Sequence, residues 1–142
     1  MKFDHLGLVV PDLKAGRERL SGLFEIRDWT REFEDPVNNV YVQFGRDASG
    51  MCYELVAPLG SDSPVAGALK NQRAILNHVA YLVSDLPAGA ERLSDQGCMP
   101  IGTAKPAIAY GGRSIQFFAT PLHFIVELIE APDHAHRYLI AF

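Results

Sequence analysis

The chain has 142 residues, 48% of them hydrophobic and 21% charged, which is enough length and apolar content for one compact core. Net charge is −4 with scattered basic residues and no Lys/Arg run, which argues against nucleic acid as a partner. No apolar run approaches the length of a membrane span, and MKFDHLGLVV lacks the h-region and cleavage site of a secretory signal.

FDHLGLVV, from Phe3, is a short β-rich run, and Asp12 then reads as the N-cap of a helix of about a dozen residues. FEIRDWTREF, NNVYVQFG and MCYELVAP read as three further strands. Asp62-Ser63-Pro64 is expected to open a short helix, with Ser63 as its cap and Pro64 at the first helical position. LNHVAYLV then begins a second strand, with Asp85 as the next N-cap, and CMPIGT, GRSIQFFA and HFIVELIE follow as strands. Gly111-Gly112 marks a tight turn or a close backbone approach. Cys52 and Cys98 have neither the spacing of a thiolate metal site nor the density of a disulfide scaffold. A reduced, cytoplasmic setting is the default expectation.

The two halves are copies of one another. Laid over LNHVAYLVSDLPAGAERLS without a gap, FDHLGLVVPDLKAGRERLS is identical at ten of nineteen positions, His5 falling on His78. The offset is 78 − 5 = 73, and it also puts Gln43 on Gln116 and Glu54 on Glu127. The chain therefore reads as one domain over residues 1–142, with repeats at about 1–60 and 74–132 joined by a short helix. Each repeat is strand, helix, then three strands, so the fold class is α+β. DHAHRYLIAF lies outside the repeat.

Strand side chains alternate between faces. His5 shares a face with Gly7 and Val9, His78 with Ala80 and Leu82, Glu54 with Cys52 and Val56, and Glu127 with Ile125 and Ile129. A carboxylate among such neighbours is costly unless it is paired, hydrogen-bonded or bound to metal. If the halves pair about a pseudo-twofold axis, two imidazoles and two carboxylates face one centre. That donor set suits zinc, nickel, cobalt, manganese or iron. Any one of the four is more often a satisfied core residue than a ligand; the duplicated set reverses that balance.

Other residues carry weaker signals. His134 and His136 lie in the terminal segment and are expected to face solvent, and His123 to start a strand. Cys52 reads as a small buried hydrophobe on the face of Glu54. Lys105, Tyr110 and Arg113 flank the Gly-Gly turn and can bind an anionic substrate or sit in an ordinary solvated loop.

DHLGLVV, YELVAPLG, NHVAYLV and IVELIEAP resemble the ligand-bearing strands of the vicinal oxygen chelate superfamily, built from paired βαβββ modules. YELVAPLGSDSPVAGALKN followed by NHVAYLV is most similar to methylmalonyl-CoA epimerases and related glyoxalase I-like proteins. The resemblance implies two tandem modules forming a curved mixed sheet around a central metal cavity, with His5, Glu54, His78 and Glu127 on a divalent ion. It implies an isomerase or lyase that moves a proton α to a carbonyl through a metal-stabilised enediolate. Glu127 is the first choice for the base, with Glu54 on the opposite face. The implied substrate is a small molecule, a thioester or a glutathione or CoA adduct, and the implied assembly a homodimer.

Two other functions belong to the same superfamily. Extradiol dioxygenases and thiol transferases use two histidines and one glutamate, and Glu54 as a fourth ligand leaves fewer open positions for oxygen chemistry. Bleomycin-sequestering relatives bind ligand without metal, which the intact His/Glu pairs argue against. The pattern departs from the epimerases at NNVYVQF, where Tyr41 stands nearest the place of an additional catalytic glutamate. The AIAYGGRS loop differs as well, and the Arg and Asn that hold glutathione have no counterpart.

Overall fold

In a computed structural model of the chain, residues 1–71 and 76–141 are described. The start of the second repeat, near residue 74, lies outside them. The elements run β1 (Lys2–Val9), α1 (Leu13–Phe24), β2 (Asp28–Trp29), β3 (Phe33–Asp35), β4 (Val40–Arg46), β5 (Cys52–Pro58), α2 (Ala66–Asn71), β6 (Leu76–Leu82), α3 (Leu86–Asp95), β7 (Met99–Ala107), β8 (Arg113–Ala119), β9 (Ile125–Ile129) and β10 (Ile140–Ala141). A single turn of 3-10 helix, Ile108–Tyr110, separates β7 from β8.

Both expected N-caps are made: the Asp12 carboxylate accepts from the Ala15 N–H and that of Asp85 from the Ala88 N–H. Each side chain satisfies a donor that the first helical turn leaves unpaired. The short linker helix begins later than its sequence suggests. It starts at Ala66, whose N–H reaches the Ser63 carbonyl, while the Ser63 hydroxyl is buried without a hydrogen-bond partner among the described residues. Ser63 is therefore not a side-chain cap.

Among the described residues, ten strands form one mixed sheet in the order β10-β2-β4-β5-β1-β6-β9-β8-β7, with β3 also on β4. The two repeats meet at its centre, where β1 and β6 pair antiparallel. Each carries a parallel neighbour from its own half, β5 on β1 and β9 on β6. Helices α1 and α3 cover the outer face. Leu13 and Leu20 pack on Ile26, Trp29, Leu55 and Ala57, and Leu86 packs on Val83, Phe118, Val126 and Leu128. The inner face has its own apolar cluster, including Val42, Phe44, Val56, Leu82, Ile115 and Ile129. The curvature brings the outer strands together: Asn38 donates its side-chain N–H to the Pro106 carbonyl, and the Ile108 N–H donates to Asp35.

Two boundaries differ from the sequence expectation. FEIRDWTREF is split into β2 and β3, both on β4, because at the break the Thr30 hydroxyl accepts from the Phe44 N–H in place of a backbone carbonyl. His123 does not start a strand; it sits exposed in the turn before β9 with a left-handed φ of 67°. Gly111 and Gly112 also have positive φ, 65° and 82°, with open space at their Cβ positions, so they serve the turn rather than a close approach. No helix among the described residues is long and apolar enough to cross a membrane.

Candidate metal centre

The register at the centre of the sheet places the four sequence-selected residues in two interlocking rows. Glu54 on β5 lies beside Gly7 on β1, and Gly7 pairs with His78 on β6. In the neighbouring row, His5 on β1 pairs with Ala80 on β6, and Ala80 lies beside Glu127 on β9. Each histidine therefore faces a residue with little or no side chain, and a glutamate stands just beyond. The small residue is what lets the ring lie across the sheet: a Cβ on Gly7 would stand 2.1 Å from the His78 Cε1.

The result is four donor atoms around one point. His5 Nε2 and His78 Nε2 are 3.0 Å apart. Glu54 Oε1 is 3.5 Å from the first and 3.3 Å from the second, and Glu127 Oε1 is 3.3 Å and 3.2 Å from them. A tetrahedron with ligand bonds of about 2.1 Å has edges of about 3.4 Å, so the donor set has the dimensions of a zinc-like site. All four residues are buried, and among the described residues no hydrogen bond satisfies Glu127 Oε1. Lone pairs this close, with that oxygen unsatisfied, call for a cation between them. The residues fit a divalent ion.

Without an ion, a proton takes that role. Burial opposes the charged form of His5, but Glu54, Asp4 and Glu127 outweigh it and hold the imidazole well above its ordinary value. His78 is raised in the same way, against burial, by Glu127 and Glu54. Burial would push Glu54 up, yet the charge and hydrogen bond of His5 bring it down to about 2.

The outward nitrogens are fixed as well. His5 Nδ1–H donates to Asp4 Oδ2 at 2.7 Å, and His78 Nδ1–H to Asn77 Oδ1 at 2.9 Å. Each bond sets the tautomer that leaves Nε2 free to face the centre. Phe44 and Phe117, themselves 73 apart, pack edge-on against His5 and His78 at 5.3 Å and 5.4 Å between ring centres. Glu54, His78 and Glu127 also line a cavity of about 520 Å3, together with Val40, Val42, Val56, Ile115 and Phe117. That volume is in the usual range for small-molecule pockets.

The structure corrects several expectations. His134 and His136 are not solvent-facing: both are half-buried, His136 stacks on Phe44 at 4.1 Å, and its Nε2 lies 2.9 Å from Asp4 Oδ2. The terminal segment folds back because Tyr138 and Leu139 also find partners, the Cys52 thiol and the Trp29 carbonyl. Of the proposed anion-binding trio, Lys105 and Tyr110 line the cavity, Tyr110 being buried with its hydroxyl donating to Asp4, and Arg113 is exposed and away from the lining. Tyr41 packs toward α1, so β4 offers Val40 and Val42 to the cavity and no carboxylate. Cys52 and Cys98 are free and buried.

Asp4 and Asn77 were missed by strand alternation, which sends a residue next to a ligand to the opposite face. Each sits at a register shift between β1 and β6. Phe3 pairs with Tyr81 and His5 with Ala80, leaving Asp4 as an extra residue; Gly7 pairs with His78 and Leu8 with Leu76, leaving Asn77. A bulge re-aims the side chain it carries. The available signal was a polar residue before each histidine at the same 73-residue offset, 77 − 4 = 73.

A family model described as the Glyoxalase/Bleomycin resistance protein/Dioxygenase superfamily matches residues 4–117. The ethylmalonyl-CoA/methylmalonyl-CoA epimerase of Cereibacter sphaeroides is 30% identical over 117 residues, covering 82% of this chain and 86% of its own. Protein YqjC of Bacillus subtilis is 31% identical over 141 residues, covering 96% of each chain. Among solved structures, the methylmalonyl-CoA epimerase of Mycobacterium tuberculosis superposes with a TM-score of 0.73 at 26% identity, over 90% of this chain and 86% of its own. With its duplicated modules and the matched span, the chain belongs to the Glyoxalase/Bleomycin resistance protein/Dioxygenase superfamily.

Proposed function

We propose that the protein is a metal-dependent isomerase that moves a proton on the carbon next to a thioester carbonyl, in the manner of acyl-CoA epimerases. The observation that carries this reading is the convergence of two Nε2 atoms and two carboxylate oxygens, 3.0–3.5 Å across the His–His and His–Glu edges, beside a cavity able to hold a small acyl group. His5, Glu54, His78 and Glu127 would hold the ion. When bound, the ion supplies Lewis acidity toward negative charge developing on substrate oxygen.

The chain's own residues divide the remaining work. Glu127 takes the α-proton from one face: it is buried and lines the cavity. Glu54, also on the cavity wall, acts from the opposite row and delivers a proton to the other face, as inversion of the centre requires. Val40, Val42, Val56, Ile115 and Phe117 keep water from the reacting carbon. Lys105, on the cavity wall, is placed to meet an anionic part of the substrate. Epimerase relatives support a CoA thioester over a glutathione adduct.

The test is deuterium exchange. Protein reconstituted with a divalent metal and given methylmalonyl-CoA in deuterated water is expected to incorporate deuterium at the α-carbon, read by NMR. Glu127→Gln should slow exchange about 10²–10⁴-fold, the range of a lost general base. Metal-replete protein that exchanges neither methylmalonyl-CoA nor ethylmalonyl-CoA overturns the reading.

A further inference from the structure

Behind the inward-facing atoms, the two histidines are held differently. The offset of 73 pairs Asp4 with Asn77, and both occupy bulges that turn them onto the Nδ1 of the following histidine. One backing group is a carboxylate and the other an amide. The carboxylate is itself held from two further directions: the Tyr110 hydroxyl donates to Asp4 Oδ2 at 2.6 Å, and His136 Nε2 lies 3.1 Å and 2.9 Å from the two oxygens. His136 belongs to the segment outside the repeat, and its place is fixed by stacking on Phe44 at 4.1 Å.

We propose that Asp4 is a positioning residue for His5, and that Tyr110 and His136 lock it in place, so that the terminal segment strengthens ion binding through the first histidine alone. This rests on the metal-binding reading above. A carboxylate on the far nitrogen of a ligating imidazole fixes its tautomer and orientation and makes it a better donor. Asn77 gives His78 the orientation without the charge, and charge-assisted hydrogen bonds are about twice as strong as neutral ones. The duplicated site is therefore symmetric in its ligands and asymmetric in their support.

Cobalt(II) serves as the probe, with affinity measured by chelator competition and the ligand field by visible absorption. Asp4→Asn, which makes the first half resemble the second, is expected to bind cobalt about 10–100-fold more weakly. Asn77→Ala should lose less than Asp4→Asn. His136→Ala should lose about 3–10-fold, and His136→Gln, whose amide retains an N–H donor, should recover most of it. If the parent binds cobalt and Asp4→Asn holds it within twofold, or Asn77→Ala loses as much, the positioning role is overturned while the metal site stands. If Asp4→Asn does not fold, equal affinity in the two His136 variants overturns it. A parent chain that takes up no cobalt overturns both.

Discussion

Replacing Gly7 with alanine adds one methyl group where the His78 ring lies. The new Cβ would stand 2.1 Å from Cε1 and 2.5 Å from each ring nitrogen. Carbon contacts settle at about 3.5–4.0 Å, so the ring must retreat by about 1.4 Å or β1 must move away from β6. Ligand bonds tolerate about 0.2 Å, so such a retreat removes Nε2 from the donor set. The ring cannot swing without loss, because its Nδ1 is bonded to Asn77 and Phe117 packs against it with ring centres 5.4 Å apart. Overpacking of this kind costs about 1–3 kcal/mol. If the loss falls on metal binding, it is about 5–140-fold in affinity, at about 1.4 kcal/mol per tenfold. Chelator competition reads that affinity, and thermal unfolding of metal-free Gly7→Ala reads the alternative in which the strands give way. Affinity within twofold of the parent, together with unchanged unfolding, would refute the packing argument.

Three further outcomes follow from particular groups. Ser63→Ala should leave stability unchanged or raise it, since its hydroxyl is buried and unpartnered, whereas loss of a true N-cap costs about 1 kcal/mol; a fall of that size in urea unfolding contradicts the structure. In chelator-treated protein, His5 and His78 titrate above their ordinary value, so the stability they contribute is full below about pH 6.5 and lost as pH rises through the raised folded values. The urea midpoint should then fall as pH rises above about 6.5, and added divalent ion should abolish the slope; a midpoint that rises with pH in chelator speaks against the charged cluster. Burial pushes the Cys52 thiol up to about 11, so neither it nor the buried Cys98 should react with a thiol reagent until the chain unfolds; rapid labelling of native protein would show that face open.

The convergence of the four side chains was legible because it depends on short-range rules repeated twice. Period-two alternation put His5 with Gly7 and His78 with Ala80, and the constant offset carried the same relation to Glu54 and Glu127. The helix caps Asp12 and Asp85 were legible for the same reason, since a cap is decided within one turn. What escaped depends on contacts far apart in sequence. The bulges at Asp4 and Asn77 exist only where β1 meets β6, and alternation within one strand cannot reveal them. His136 looked like a solvent-facing tail residue because its partners, Asp4 and Phe44, come from the other end of the chain. The break between β2 and β3 likewise depends on Thr30 substituting for a backbone acceptor toward Phe44.

We propose that His5, Glu54, His78 and Glu127 together hold one divalent ion. Elemental analysis of the purified chain beside His5→Ala and Glu127→Ala, each checked for folding by circular dichroism, tests it directly. The expected result is about one ion per parent chain and a marked loss in both variants, because removing either residue leaves an incomplete set of four donors. Undiminished metal in both folded variants, or none in the parent after exposure to zinc, nickel, cobalt, manganese and iron, would contradict it.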